Sequence, residues 1–314
     1  MSRRAVVLGS AVAGLFAAPW VLGPYQISLL GRMLAVGLLV LSVTLLAGPA
    51  RLASLGQAAF FGVGAYTTAL LGRAGTDVGV VHLAAAAAVA AVLAAVLGTV
   101  VTRTRGVVFL MLTLAVGELF ASAAMSWEPV THGSDGLAGV PPVRPVWGMP
   151  ALELDGLVYL WIAAVVLLLA GAAALLLRSP YGLAMRGFGE GEARLRAAGY
   201  PADTHLLCWF VLAAVPAAVG GALWVHSQRF VAPGDLGLDV SALALMAAVI
   251  GGLGSVWGAL AGAVVVGLLR DWLSGQLTGP LGGHGTLLLG AAFVLLVYVL
   301  PRGLAGLRAR RAAS

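Results

Sequence analysis

Apolar runs of about 20 residues recur along nearly the whole chain, and that repetition leaves few folds open. They fall at about 5–22, 27–47, 55–72, 80–101, 106–126, 157–177, 205–226, 240–253, 256–270 and 284–300. A helix rises about 1.5 Å per residue, so such runs are long enough to cross a bilayer. In lipid every backbone polar group needs a partner inside the protein, and a helix supplies its own. The expected fold class is therefore an all-α polytopic membrane protein with about ten transmembrane helices. The eighth and ninth runs are short and share the break Gly251-Gly252-Leu253-Gly254-Ser255. They read either as two spans or as one long kinked helix. Hydrophobic residues make up 61% of the 314 positions and charged residues 10%. Ten spans then leave room for loops but not for a soluble catalytic domain. The domain reading is a single transmembrane domain over 1–314, with a cytoplasmic loop at about 178–204 and an external loop at about 127–156.

Arginine placement orients the spans. With the N-terminus inside, the cytoplasmic side holds Arg3, Arg4, Arg51, Arg103, Arg105, Arg178, Arg186, Arg194, Arg196, Arg302, Arg308, Arg310 and Arg311. The external side holds Arg32, Arg73, Arg144, Arg229 and Arg270. Positively charged loops stay inside, so this asymmetry places both termini in the cytoplasm. Ten crossings also make the two five-span halves enter the membrane in opposite directions, which permits an inverted five-plus-five repeat. Met1–Trp20 has the look of a signal peptide, yet its removal would break this parity, so retention as a first span is expected.

The 18 basic residues are all arginine. Without a lysine the chain cannot carry a Walker A loop or form a Schiff base. The net charge of +6 sits at span ends, where anionic lipid headgroups account for it, and nucleic acid is not an expected partner. Cys208 is the sole cysteine, so no intrachain disulfide exists. His82, His205, His226 and His284 are scattered without metal-ligand spacing, and no metal site is expected.

Between two long apolar runs lies the polar insert Arg178–Asp203, which contains Tyr181, Gly182, Arg186, Glu190, Glu192, Arg194 and Gly199. It reads as a short amphipathic helix on the cytoplasmic side, placed to dock a soluble partner. Inside the membrane, Ser54–Tyr66 opens the third span with Gln57, Gly62, Gly64 and Tyr66. Its small residues suit tight helix contacts, and its polar groups suit a pathway lining; both readings stand. Ile250–Gly262 has the same character, with Gly251, Gly252 and Gly254 at the break.

Thr113 and Glu118 fall in the fifth span. A charge at the bilayer centre costs about 2.5–3.5 kcal/mol, so Glu118 is expected to face the protein interior. A structural hydrogen bond and contact with a transport pathway are the two roles open to it. Thr131, Gly133, Asp135 and Gly136 in the external loop read as a turn, or as a gating or docking element. His132, Ser134 and Asp135 are too close in sequence for a hydrolytic triad and lack a nucleophile elbow.

Taken together, these segments resemble the LivM-type permease subunits of branched-chain amino-acid ABC importers. The resemblance runs through Ser54–Tyr66, Arg105–Leu114, Thr131–Leu137, Tyr181–Arg186, Glu192–Gly199 and Ile250–Ser255, in order, over about residues 30–300. It implies an inner-membrane protein of bacteria that pairs with a LivH-like second permease. Two cytoplasmic ABC ATPase subunits, carrying ATP and Mg, and an external substrate-binding protein would complete the assembly. Gly189–Gly199 matches the family's ATPase-coupling loop, although Phe188-Gly189-Glu190-Gly191-Glu192 departs from the usual run and is richer in glycine. The chain itself is expected to be neither an enzyme nor a cofactor carrier. A stand-alone secondary transporter or channel is the rival reading.

Overall fold

The structure is a computed structural model that describes residues 22–276 continuously, with 14–16, 18–20, 288, 290–291, 293–295, 298 and 303–304. Most of the first and tenth expected spans, the signal-like start, His284 and the terminal arginines Arg3, Arg4, Arg302, Arg308, Arg310 and Arg311 lie outside the described residues.

Helices dominate what is described. Leaving aside the single turn Glu128–Thr131, in chain order they are α1 (Pro24–Ala47), α2 (Gln57–Arg73), α3 (Gly79–Val101), α4 (Gly106–Ser126) and α5 (Asp155–Arg178). There follow α6 (Pro180–Ala197), α7 (Ala202–Gln228), α8 (Leu238–Gly251) and α9 (Val256–Gln276). Of these, α1, α3, α4, α5 and α7 are long and apolar enough to cross a membrane. The third expected span, α2, has 17 residues, of which 12 are buried. Wrapped in protein, it needs little apolar surface of its own and can afford Gln57, Thr67 and Thr68.

Buried α1 and α7 form the centre, while α3, α4 and α5 turn most of their surface outward. Helices approach one another where side chains vanish. A Cβ on Gly64 of α2 would lie 2.0 Å from the Ala218 carbonyl oxygen of α7. One on Gly221 would lie 1.8 Å from that of Phe61. The α8–α9 hairpin is built likewise, since a Cβ on Gly262 would meet the Ala247 oxygen at 2.1 Å. Hydrophobicity cannot drive helices together in lipid, so close backbone contact and dispersion do so instead.

The eighth and ninth runs are two separate helices, which excludes one long kinked helix. Gly252 (φ +101°) and Gly254 (φ +90°) turn the chain through conformations that side chains resist. Gly254 then lies against Gly48 at the end of α1. At the opposite end, the two-residue strands β1 (Leu137–Ala138) and β2 (Phe230–Val231) pair antiparallel, Leu137 facing Val231. There too Arg144 bridges to Asp77 at 2.9 Å.

Candidate functional site

Two polar regions stand out from this apolar body. The first lies where α2 begins. A helix leaves the N–H groups of its first turn without partners, and here side chains from three other helices take part. Ser241 of α8 accepts the Ala58 N–H at 3.3 Å, and Thr113 of α4 accepts that of Leu55 at 3.2 Å. Ser42 of α1 donates to Gln57 Oε1 at 2.7 Å, while Gln57 Nε2 donates to Ser54 Oγ at 3.4 Å. Ser42, Ser54, Gln57, Thr113 and Ser241 are all buried. The network ties α1, α2, α4 and α8 to one point.

Further along α2, a Cβ on Gly62 would overlap Leu236, which sits in the short 3-10 turn Pro233–Leu236. The Tyr66 hydroxyl is buried with no hydrogen-bond partner among the described residues. Glu118 differs from expectation: α4 turns it outward, away from the body of the chain, whereas Phe109, Thr113, Gly117 and Ala124 face inward. Gly251, Gly252 and Gly254 gather at the end of the molecule near Gly48.

The second region is α6. Ser179 caps it by accepting the Gly182 N–H at 3.2 Å, and Pro180 occupies the first turn, where no N–H is needed. Gly182 lies so close to the end of α5 that a Cβ would meet the Leu176 oxygen at 2.4 Å. Met185 and Phe188 are buried, and the Tyr181 hydroxyl donates to the His205 carbonyl at 2.8 Å. Gly189 presses on the α1–α2 loop, where a Cβ would lie 2.3 Å from the Pro49 oxygen.

At Gly191 the backbone leaves the helical conformation and becomes extended (φ −176°, ψ 77°). The final turn is thereby re-aimed, and Glu192 meets the α3–α4 loop. Arg105 grips its carboxylate with both prongs, Nε at 2.8 Å and Nη2 at 3.1 Å, and Arg196 adds Nε at 2.9 Å. Arg196 also pairs with Asp203 at 2.7 Å. Such forked, charge-assisted contacts fix geometry as well as adding energy. Leu183, Arg186, Glu190, Arg194, Gly199 and Tyr200 remain exposed. Coupling-loop candidates thus divide into an inward clamp, Glu192, and an outward face.

Hydrogen bonding from Arg105, seconded by that from Arg196, holds the Glu192 carboxyl below its ordinary value. A depressed carboxylate pKa contributes stability that is complete above the unfolded value. That stability is lost as pH falls through the folded one. The clamp should therefore be fully engaged at neutral pH. Melting in mild detergent should show an extra loss of stability, on the order of 1 kcal/mol, as pH drops below the ordinary carboxylate range. Glu192→Gln should remove that extra loss; an identical profile for both proteins would refute the clamp.

At the far end, Thr131 sits 2.6 Å from the Ala124 oxygen and 2.7 Å from that of Trp127. Its hydroxyl closes the end of α4. His132 (φ +57°), Gly133 (φ +55°) and Gly136 (φ +68°) carry the chain through a turn onto β1. Asp135 is exposed, and its carboxylate accepts from the Ser134 hydroxyl at 3.3 Å, while His132 pairs with Arg73 at 3.2 Å.

One cluster was invisible in the sequence. Trp161 donates to His226 Nδ1 at 3.3 Å, and His226 Nε2 lies 3.1 Å from His82 Nδ1. His82 Nε2 in turn reaches the Thr76 oxygen at 2.9 Å. Two neutral rings satisfy all these contacts, each with its proton on Nε2. The histidines lie 144 residues apart in the chain, and no spacing rule joins them.

A family model described as "Branched-chain amino acid transport system / permease component" matches residues 25–300. The chain belongs to this family. It is 27% identical over 290 residues to the high-affinity branched-chain amino acid transport system permease protein LivM of Salmonella typhimurium, covering 85% of this chain and 67% of that one. Identity to the LivM protein of Escherichia coli is also 27%, over 295 residues and the same shares. A probable branched-chain amino acid transport permease protein LivH of Methanocaldococcus jannaschii is 28% identical over 157 residues, 48% of this chain and 49% of its own. No solved structure matches the chain. Membership in a permease family, together with the apolar helices, makes this a multi-pass membrane protein whose relatives are permease subunits and not enzymes.

Proposed function

We propose that this chain is the transmembrane permease subunit of an ATP-driven importer for branched-chain amino acids in the bacterial inner membrane. It has ten spans with both termini cytoplasmic, and it forms the translocation pathway with a LivH-like second permease. Two cytoplasmic ABC ATPases drive it, and an external binding protein delivers substrate. ATP and Mg act on the partner subunits; this chain makes and breaks no bonds.

The observation that carries this reading is the placement of α6. One short polar helix touches the α1–α2 loop through Gly189 and the α3–α4 loop through Glu192, and it leaves Leu183, Arg186, Glu190 and Arg194 exposed on a face that a soluble partner can reach. When the ATPase dimer closes, force on α6 is delivered to both loops. From the α1–α2 loop it reaches the start of α2, which Ser241 and Thr113 join to α8 and α4. These helices then rock together and open the pathway to one side at a time. The Thr131–Gly136 turn is placed to meet the binding protein outside.

A tagged pull-down from native membranes in mild detergent, with mass spectrometry of the recovered proteins, tests the proposal. Recovery of two P-loop ATPases and a second permease is expected. Recovery of this chain alone, active in vesicles driven only by an ion gradient, would overturn the importer reading in favour of a secondary transporter.

A further inference from the structure

A cleft of about 300 Å³ lies between α1, α7, α8 and α9. It sits toward the start of α1, whereas α6 presses through Gly189 on the loop that follows the other end of that helix. None of the pathway candidates read from the sequence lines it. Its wall is mainly aliphatic, with Met33 and Val36 of α1, Leu243 of α8 and Val266 of α9, and Trp224 of α7 adds one aromatic face.

Charges are set into this apolar wall. Arg32 lines the cavity from about two turns inside α1, and Asp271 from more than one turn before the end of α9. Arg270 lines it too. Charged groups within a span are costly unless protein, water or a solute meets them. The Arg32 Nε is buried and has no hydrogen-bond partner among the described residues. Asp271 accepts from the Tyr25 hydroxyl at Oδ1, 3.0 Å away, and its Oδ2 has no partner among those residues. Arg32 and Asp271 thus share one cavity without forming an ion pair with each other. Opposite charges attract strongly where the dielectric is low, so a gap between them suits an occupant that carries both signs.

Building on the importer reading above, we propose that this cleft holds one free amino acid with an aliphatic side chain on its way through the membrane. Arg32 takes the carboxylate, Asp271 takes the ammonium group, and the apolar wall takes the side chain. A zwitterion of this kind fits better than a phospholipid. Asp271 would repel a phosphate, and a cavity at the small end of the ligand-pocket range has no room for two acyl chains.

The test uses the purified assembly in nanodiscs, in a Cys208→Ser background. Leu243→Cys reports from the cleft, and Leu168→Cys, on the outward surface of α5, is the control. A charged, membrane-impermeant thiosulfonate should modify position 243 and leave position 168 unreacted. Saturating leucine should slow modification at 243 by about fivefold or more. Isocaproate, which lacks the ammonium group, and isoamylamine, which lacks the carboxylate, should not. Arg32→Gln should abolish protection by leucine while the unprotected rate stays the same, and Asp271→Asn should weaken it. Equal protection by all three compounds, or undiminished protection in Arg32→Gln, would overturn the site. So would a lack of reaction at 243 in every state, which would mark a cleft filled by lipid.

The comparison of leucine with its two analogues keeps Arg32 in place, so it decides the matter even where Arg32→Gln does not fold. Where that variant does assemble, leucine uptake should fall by about tenfold, the scale of one lost charge-assisted contact. The ATPases and the second permease should still co-purify with it. If they co-purify with the unaltered chain and leucine protects nothing, the site fails and the importer reading stands. If they do not, the importer reading itself fails.

Discussion

Gly221→Val should prevent the chain from reaching its folded state, and Gly64→Val should do nearly the same. Each glycine faces a backbone carbonyl of the opposing helix, and an added Cβ would sit 1.8 Å from the Phe61 oxygen or 2.0 Å from the Ala218 oxygen. No rotamer relieves a clash between a Cβ and a backbone. Restoring ordinary contact near about 3.5 Å requires the helices to part by roughly 1.5–2 Å. That separation would loosen Phe61, Ala65, Ala217 and Ala222, all buried around the crossing. Overpacking usually costs about 1–3 kcal/mol, and a backbone clash belongs at or above the upper end. The expected readout is loss of the monodisperse peak in detergent and a sharp fall in membrane-inserted yield. Gly171→Val is the control, because a Cβ there meets nothing within 4 Å. A folded, normally melting Gly221→Val protein would show that α2 and α7 do not cross at this point.

The second large effect is expected in transport and not in folding. Glu192→Arg would set a third guanidinium beside Arg105 and Arg196, turning the clamp into a repulsive cluster. The site is at the aqueous edge and the apolar helices are untouched, so insertion and folded yield should stay near normal. Uptake should fall by about tenfold or more if α6 transmits the stroke, since misplacing a coupling element by even about 1 Å is costly. Because the contact lies within the chain, adding Arg105→Glu should restore part of the uptake. Arg194→Glu should lower uptake as well, but the Arg105 change should not rescue it, because Arg194 sits on the exposed face. Unchanged ATPase recruitment and uptake in both single variants would sink the coupling assignment.

Much of this architecture was legible in the sequence for a simple reason: a membrane crossing announces itself by length and apolarity alone. The runs expected at 27–47, 80–101, 106–126, 157–177 and 205–226 coincide with α1, α3, α4, α5 and α7 to within a few residues. The insert at Arg178–Asp203 announced α6 equally well, because a polar, arginine-bearing stretch cannot continue a span. Rotation about the helix axis was not legible. A helix apolar on nearly every side offers no amphipathic stripe to orient it, so nothing in the sequence of α4 said that Glu118 would turn away from its own chain.

Composition, span lengths and arginine asymmetry belong to the sequence, because the bilayer acts on each segment separately and its preferences sum along the chain. Contacts between distant segments do not sum in that way. The Trp161–His226–His82 chain joins three helices, the network at the start of α2 joins four, and Glu192 finds Arg105 across 87 positions. Each depends on which helices become neighbours and on how closely their glycines let them approach. That choice is made by short-range contact between surfaces, which only the tertiary structure brings together.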